Sequence, residues 1–318
     1  MTTMTAVGTM KAVRIHAYGG ADVLAYEDAP RPVPGAGEVL VRVHACGVNP
    51  VDWKIREGYR KELLRHSLPL VPGWDVSGVI ESIGAGATRL REGDEVYSRP
   101  DLSRNGAYAE YIVIRESEVA LKPKSVDHIR AAAIPLACLT AWQALFDAGG
   151  LEAGQRALIH AAAGGVGTFA VQLAKWKGAY VIGTASARNH EFLRGLGADE
   201  MIDYNITRFE DAVRDVDLVL DTMAGETQAR SWGVLRKGGI MVSILQPPSQ
   251  EEAASRGVRG AFTFVQPNAE QLAQIAELVD AEKVRPIVDI VLPLSEARRA
   301  QELSKSGHIR GKIVLRVM

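Results

Sequence analysis

Apolar and polar residues alternate along the first 120 residues of the chain. Within residues 38–46, Val39, Val41 and Val43 fall on one side while their neighbours fall on the other, which is the period of a half-buried strand. Similar patterns occupy residues 11–18, 77–83 and 107–114. Turns rich in proline and glycine separate these segments, so the pattern predicts a small β-barrel or sandwich.

After Lys122 and Pro123, short apolar strands alternate with helical stretches. The predicted strands are 156–162, 180–183, 201–204, 217–221, 240–245 and 261–266. The predicted helices between them are 165–177, 188–195, 206–214 and 226–235. Parallel neighbouring strands need a crossover, so this alternation predicts a doubly wound parallel sheet.

The last fifty residues are too few for a third domain. They predict an amphipathic helix at 268–282, a strand at 287–292, a helix at 295–303 capped by Ser295, and a strand at 312–317. We expect them to return to the β-rich part. The domain at 1–125 and 268–318 is then discontinuous, and 126–267 forms the other domain. Residues 246–257, with Pro247 and Pro248, predict a mobile loop.

Composition excludes several classes of protein. The 318 residues carry 37 Lys and Arg against 38 Asp and Glu, a net charge of −1, whereas nucleic-acid and acidic-membrane partners select a basic excess. Residues 1–10 have neither the basic nor the apolar part of a signal peptide, and we expect a loose tail. The uncharged stretch 131–146 is shorter than a membrane span and predicts a buried helix.

The cysteine count limits the possible metal and redox sites. Cys46 and Cys138 are the two cysteines of the chain, which excludes a disulfide framework, a four-cysteine zinc lobe and an iron–sulfur cluster. So few cysteines are typical of a reducing compartment, and we expect a cytoplasmic protein.

A glycine-rich turn follows the predicted strand 156–162. Its residues Gly164, Gly165, Val166 and Gly167 match G-x-G-x-x-G with Ala162 in place of the first glycine. Between a strand and a helix, such a turn lets a pyrophosphate approach the backbone at the helix N-terminus. The alternative is a tight turn without a ligand. The context favours a dinucleotide site.

The second predicted strand indicates which dinucleotide binds. NAD sites place an acidic residue at its end, whereas residues 183–188 contain no carboxylate. Ser186 and Arg188 are suited to a 2′-phosphate, and Tyr204 to flanking the adenine. The alternative is that Arg188 is a solvated residue starting a helix. The missing acid favours NADPH.

With these motifs the chain resembles the medium-chain dehydrogenase/reductase superfamily. The resemblance runs from Met10 to Val317, and it is carried by residues 37–43, 47–52, 71–79, 164–167, 197–199 and 311–315. It implies an α/β protein with a chaperonin-10-like barrel built from both chain ends and a Rossmann domain inserted between them. It also implies a homodimer in which edge strands pair, with the segment 261–266 as the edge.

The chain departs from the zinc-dependent members of that superfamily. Asn49 stands where they have a cysteine, and Trp74 and Asp75 stand where they have histidine and glutamate, so no metal is expected. A different site from His44, Cys46 and His66 stays open. The chain therefore resembles the zinc-free quinone oxidoreductase branch, and residues 49–54 and 283–289 are most like its alkenal/enone oxidoreductases.

The resemblance also implies catalytic residues. Asn49 would line the nicotinamide pocket. Lys54, held by Asp52, would reach a cofactor ribose or the substrate oxygen, and Tyr59 would be a second donor. The alternative is a structural ion pair between Asp52 and Lys54, with Tyr59 packed on the surface.

Three further residues match family positions around the nicotinamide. Thr140 would lie beside its ribose, and backbone groups of Phe264 and Val265 would bind its carboxamide. Trp53, Trp74 and Phe264 could form an apolar pocket for a planar enone or quinone, although buried aromatic residues are more often core.

Hydride transfer to an activated double bond fits this set of residues. Alcohol oxidation without a Lewis acid is difficult, whereas donors at a carbonyl oxygen stabilise the charge that develops when hydride adds to an α,β-unsaturated carbonyl. We therefore expect an NADPH-dependent reductase of a small enone or quinone, with neither a nucleic-acid nor a membrane partner. The alternatives are two-electron quinone reduction proper and a non-catalytic NADPH-binding protein, crystallin-like or regulatory.

Overall fold

The computed structural model describes residues 8–318. Most of the tail predicted at 1–10 lies outside the described residues. The chain forms two compact units. The barrel unit comprises the chain up to Leu136, Gln266–Asp280 and Val288–Met318, and the Rossmann unit comprises Ala137–Val265 and Ala281–Ile287. The domain boundaries predicted after residues 125 and 267 stay a prediction.

Strands and helices cover most of residues 8–318. The strands are β1 (Thr9–Ile15), β2 (Leu24–Pro30), β3 (Glu38–Val48), β4 (Val76–Ile83), β5 (Glu95–Ser98), β6 (Tyr111–Arg115), β7 (Val119–Leu121), β8 (Arg156–Ile159), β9 (Tyr180–Thr184), β10 (Glu200–Ile202), β11 (Val216–Asp221), β12 (Leu235–Ser243), β13 (Arg259–Phe262), β14 (Val288–Pro293) and β15 (Lys312–Arg316). The α-helices are α1 (Pro50–Arg56), α2 (Lys61–Leu64), α3 (His128–Ala131), α4 (Pro135–Trp142), α5 (Gly165–Trp176), α6 (His190–Arg194), α7 (Phe209–Ala212), α8 (Gly225–Ser231), α9 (Gln250–Arg256), α10 (Ala269–Asp280) and α11 (Ala297–Ser306).

The barrel unit is organised around β3. Strands follow the order β14-β15-β3-β4-β5-β7, and β6 also pairs with β3. Two register shifts along the pairing of β3 with β4 let this long strand bend around the core. The C-terminal strand β15 runs antiparallel to β3, with Ile313 opposite Val48. The expected return of the C-terminal elements to the β-rich part is therefore confirmed.

The Rossmann unit is a parallel sheet of six strands in the order β10-β9-β8-β11-β12-β13. Its strands bury Leu158, Ile182, Val219 and Met241 in one apolar cluster, as strands covered on both faces require. The predicted doubly wound sheet is confirmed. Its edge strand β13 begins two residues earlier than predicted, because Arg259 already pairs with Ile240.

Three local predictions are wrong. Residues 246–257 are not simply a loop, because Ser249 accepts a hydrogen bond from the Glu252 N–H and starts α9. Ser295 lies inside a 3₁₀ turn, so α11 starts after Glu296 instead. The helix predicted at 206–214 is reduced to the single turn α7.

The uncharged stretch 131–146 is buried but is not one continuous helix. Pro135 starts α4 after the short α3, and Gln143–Ala148 continues as a π-helical turn, since proline is favoured in a first turn and breaks a preceding helix. Within residues 8–318, no helix combines the length and hydropathy needed to cross a membrane.

Candidate active site

Asn49 is the N-cap residue of α1, where it forms a capping box with Asp52. The Asp52 carboxylate accepts the Asn49 backbone N–H at 2.8 Å. The side chain of Asn49 also bonds to distant parts of the chain, because Nδ2 donates to Asp75 Oδ2 at 2.7 Å and Oδ1 accepts from the Lys312 ammonium. The amide of Asn49 is therefore oriented by residues far along the chain as well as by its own helix.

Lys312 and Asp75 form a buried ion pair beside that amide. Lys312 Nζ lies 3.1 Å from Asp75 Oδ2 and donates to the Val48 carbonyl at 3.1 Å. The two side chains are 3% and 0% exposed. Asp75 Oδ1 also accepts the backbone N–H of Leu136. Buried charges persist only when they are paired and hydrogen-bonded, and both conditions are met here.

Neither residue has a predicted role. The available signal was the presence of a lysine and an aspartate in apolar surroundings, since Lys312 precedes Ile313-Val314-Leu315 and Asp75 lies between Trp74 and Val76. Charged residues in such runs are rarely fully buried unless they are paired.

Asp52 lies in the core, and within residues 8–318 its carboxylate forms neither a hydrogen bond nor an ion pair with Lys54. Its Oδ2 accepts the Asn49 N–H and the Tyr108 hydroxyl, the latter at 2.9 Å. Oδ1 has no partner within residues 8–318. Burial raises the pKa of Asp52 from its ordinary 3.8 to about 7, although the Asn49 N–H and the Tyr108 hydroxyl favour the ionised form. The predicted pairing of Asp52 with Lys54 is therefore wrong, both as a catalytic arrangement and as a structural ion pair.

Lys54 and Tyr59 lie nearer the surface. Lys54 is half-buried, with its ammonium 5.6 Å from the centre of the Trp53 ring. Tyr59 is exposed, and its hydroxyl accepts from Arg60 Nε at 3.1 Å. Trp74 is fully buried, and its ring N–H donates to the Arg104 carbonyl, so it is a core residue and not the pocket wall considered above.

The residues around Asn49 do not fit a metal ion. Zinc takes thiolate, imidazole and carboxylate ligands, whereas both carboxylates here are already engaged, Asp75 by the Lys312 ammonium and Asp52 by the Asn49 N–H and the Tyr108 hydroxyl. The amide oxygen of Asn49 also faces that ammonium. Across residues 8–318, no three His, Cys, Asp or Glu side chains are grouped to hold a metal. His44 stacks on His128, and His66 bonds to the Leu102 carbonyl.

The glycine-rich turn of the Rossmann unit fits a pyrophosphate. Helix α5 begins at Gly165, and its N-cap Gly164 has no side chain to cover the first N–H groups. A Cβ on Gly167 would lie 2.3 Å from the Ala161 carbonyl oxygen. The strand and helix therefore approach each other more closely than any residue with a side chain permits, which leaves the helix N-terminus open to an anion.

Polar groups at the carboxyl end of the sheet also fit a nicotinamide cofactor. The hydroxyl of Thr263, the residue after β13, is buried and has no partner within the described chain. Phe264 and Val265 follow it directly. Thr140 is buried in α4. A buried hydroxyl without a partner in the protein is free to bond to a ligand or to a water molecule.

The turn after β9 carries a cation and a neighbouring anion. Ser186 precedes the 3₁₀ turn Ala187–Asn189, and its hydroxyl accepts from Asn189 Nδ2 at 3.2 Å. Arg188 is exposed without an ion-pair partner among residues 8–318. Asp203 follows β10. The backbone N–H of Asn205 chiefly lowers the pKa of its carboxyl, and the Ala187 N–H contributes. Tyr204 is 60% exposed. This carboxylate follows the third strand of the Rossmann unit in the sequence, so the absence of an acid after the second strand did not reveal it.

Two family models match the chain. The model described as alcohol dehydrogenase GroES-like domain matches residues 35–124, and the model described as zinc-binding dehydrogenase matches residues 196–315. The second description names zinc, but the residues around Asn49 do not provide a set of zinc ligands.

Three known proteins illustrate the similarity. The chain is 34% identical to mouse (Mus musculus) NAD(P)H oxidoreductase RTN4IP1, mitochondrial, over all of this chain and 91% of the relative. It is 35% identical to tomato (Solanum lycopersicum) 2-methylene-furan-3-one reductase, over 99% of this chain and 81% of the relative. The structure of a quinone oxidoreductase from Coxiella burnetii is 36% identical, has a TM-score of 0.92 and covers 98% of this chain and 100% of its own.

The relatives contradict the expected cytoplasmic location. The mouse protein is named as mitochondrial. Two buried, unpaired cysteines argue against a disulfide-stabilised secreted protein. They do not distinguish the cytoplasm from the interior of an organelle, so the prediction was wrong.

Asp52→Asn should change how stability depends on pH. Folding raises the pKa of Asp52, so the protonated carboxyl stabilises the folded state. This stabilisation is complete below pH 3.8, the ordinary pKa, and is lost as the pH rises to about 7. The variant has no such loss. Its free energy of unfolding relative to that of the wild type should therefore rise between pH 4 and pH 7, by on the order of 4 kcal/mol in total, and stay constant above pH 7. Urea unfolding at pH 5 and pH 8 measures it.

Glu116→Gln is the matched control with the opposite sign. The carboxylate of Glu116 accepts the backbone N–H groups of Thr88, Arg89 and Leu90, and these bonds lower its pKa. The variant should be less stable than the wild type by an amount that does not grow from pH 5 to pH 8. An unfolding midpoint of Asp52→Asn that tracks the wild type across this range would contradict the assignment.

Proposed function

The chain belongs to the zinc-free quinone oxidoreductase branch of the medium-chain dehydrogenase/reductase superfamily and is an oxidoreductase that uses a nicotinamide cofactor, and we propose that it reduces small α,β-unsaturated carbonyl compounds with NADPH. The observation that carries this proposal is the amide of Asn49, which Asp75 and Lys312 hold in one orientation at the start of α1. Its free N–H is the donor that such a reduction needs at the substrate oxygen.

Asn49 is suited to an oxygen that gains charge during the reaction. One amide N–H is committed to Asp75, and the described residues give the other no acceptor. Bound NADPH would supply a hydride to the β-carbon of the substrate, and the C=C electrons would move onto the carbonyl oxygen. Asn49 donates to that oxygen, and its fixed orientation costs no reorganisation as the charge appears. A proton then reaches the α-carbon from water.

The other residues of the α1 segment have supporting roles in this proposal. Lys54 is half-buried and is not paired with Asp52, so its ammonium is available to a cofactor ribose or the substrate oxygen. Tyr59 is an exposed second donor. Asp52 acts through the backbone, since its carboxylate holds the Asn49 N–H and with it the start of α1.

In the Rossmann unit, we assign cofactor binding to two groups of residues. Gly164, Gly165, Val166 and Gly167 hold the pyrophosphate at the start of α5. Thr140, Thr263, Phe264 and Val265 contact the nicotinamide end, and the unpartnered hydroxyl of Thr263 supports this assignment.

Turnover with two substrates tests the reaction. Wild-type protein should oxidise NADPH with methyl vinyl ketone at a higher kcat/KM than with p-benzoquinone, because the site offers a donor for a single developing charge. Asn49→Ala should lower kcat for the ketone by roughly 10²–10³-fold, as removal of one such donor does. Steady-state absorbance of NADPH measures both.

Asn268→Ala is the matched control for that variant. Asn268 caps α10 in the ordinary way, accepting the Gln271 N–H at 2.9 Å, so the variant should lose stability but keep kcat. A preference for the quinone would favour two-electron quinone reduction. Tight NADPH binding without turnover of either substrate would favour the alternative that the chain is a non-catalytic NADPH-binding protein.

Arg188→Ala tests the preference for NADPH. Because Arg188 is exposed and unpaired within the described chain, its loss should raise the Kd of NADPH roughly 10- to 100-fold, as for a charged hydrogen bond, and leave NADH unchanged. Arg194→Ala, an exposed arginine on α6, is the control. Asp203→Asn should tighten NADPH alone. Equal losses for both cofactors in Arg188→Ala would overturn the 2′-phosphate assignment.

Sedimentation tests the proposed homodimer. β13 is one of the two edge strands of the Rossmann sheet in residues 8–318, and such an edge can pair with a second copy. The wild type should sediment as a dimer, and Ala261→Lys, which places a charge on that edge, should shift it towards monomer. Glu200→Lys on the opposite edge strand β10 should not. A monomeric wild type contradicts this proposal.

A further inference from the structure

A buried ammonium group lies against the amide oxygen of Asn49. Lys312 Nζ has three donors, and three acceptors surround it: the Val48 carbonyl, Asn49 Oδ1 and Asp75 Oδ2. The side chain is 3% exposed. All donors of this ammonium are therefore used inside the protein.

The chemistry of the neighbours determines which way the amide of Asn49 faces. An ammonium has no acceptor and an ionised carboxylate has no donor. Asn49 must therefore present its oxygen to Lys312 and its nitrogen to Asp75, and a flipped amide would set donor against donor and acceptor against acceptor. The ion pair selects one orientation of the amide.

We propose that Lys312 is the positioning residue of the reaction: its ammonium, held by Asp75, fixes and polarises the amide of Asn49. This inference rests on the proposed function. A cation at the amide oxygen draws electron density from the nitrogen and makes the remaining N–H a stronger donor, as bonds in a hydrogen-bonded chain polarise one another. The positive charge of Lys312 would thus stabilise the developing negative charge on the substrate oxygen through the amide group of Asn49, without direct contact.

Stability alone does not account for this pair. A buried ion pair loses the hydration of both ions, and apolar replacements of similar volume are often neutral or stabilising. Lys122 provides a comparison in the same unit. It is also buried, at 8% exposed, and donates to the carbonyls of Pro123 and Val126 and to Glu95, but it contacts no side-chain amide.

The test compares Lys312→Met with Lys122→Met on both substrates, with NADPH Kd measured by fluorescence. Lys312→Met should lower kcat for methyl vinyl ketone 10- to 100-fold and leave the NADPH Kd within twofold. The loss should be smaller for p-benzoquinone, because its conjugated ring spreads the developing charge and depends less on the donor. Lys122→Met should lower the urea midpoint and leave kcat unchanged.

The double variant Lys312→Met/Asp75→Asn separates charge from folding, because neither partner is then an unpaired buried charge. It should unfold at a midpoint near that of the wild type and still lack the kcat of the wild type. A folded single or double variant with kcat within threefold of the wild type overturns the inference. Equal losses on both substrates also overturn it, since a structural role would affect them alike. A wild type that oxidises NADPH with neither substrate refutes the proposed function itself, and the inference fails with it.

Discussion

The buried pair of Lys312 and Asp75 is the interaction on which the rest of the barrel unit depends. Each member needs the other, because an isolated charge in this environment would be expelled or neutralised. Asp75 lies just before β4 and Lys312 at the start of β15, and the groups that bond to them come from the end of β3 and the first turn of α4. The buried charges are therefore stable only when β15 pairs with β3 in the observed register. The same pairing places Lys312 against Asn49, so it also fixes the orientation of the Asn49 amide.

The Rossmann unit depends on close approach rather than on charge. Gly167 brings α5 against the end of β8, and the absence of a side chain at the N-cap Gly164 leaves the dipole end of α5 uncovered. The turn after β9 then adds charge at a second position, with Arg188 and Asp203 on adjacent strand ends. A phosphate placed there would be attracted by the first and repelled by the second, so in the proposed assignment the balance of these two side chains would set the preference between NADPH and NADH.

Structural features that depend on neighbouring residues could be predicted from the sequence, whereas contacts between residues far apart in the sequence could not. The alternation of strands and helices and the glycine turn are local patterns, and both fold predictions hold. Asp52 was paired with Lys54 because the two are close in the sequence, whereas its partner Tyr108 is 56 residues away. Lys312 lies 263 residues from Asn49, and no spacing rule connects them. The helix α9 was missed because Pro247 and Pro248 outweighed the capping residue Ser249.

A neutral donor with a cation behind it has an advantage over a cation in direct contact with the substrate. A reaction is accelerated only by interactions that are stronger in the transition state than in the bound substrate. An exposed ammonium would attract any anion in solution and would bind the ground state as well. In the proposed mechanism, the amide N–H of Asn49 would interact weakly with a neutral carbonyl and strongly with an oxygen that carries charge, and the buried Lys312 would increase that difference. Burial of Lys312 is thus a condition of this arrangement, since an ammonium open to water would lose most of its effect on the amide.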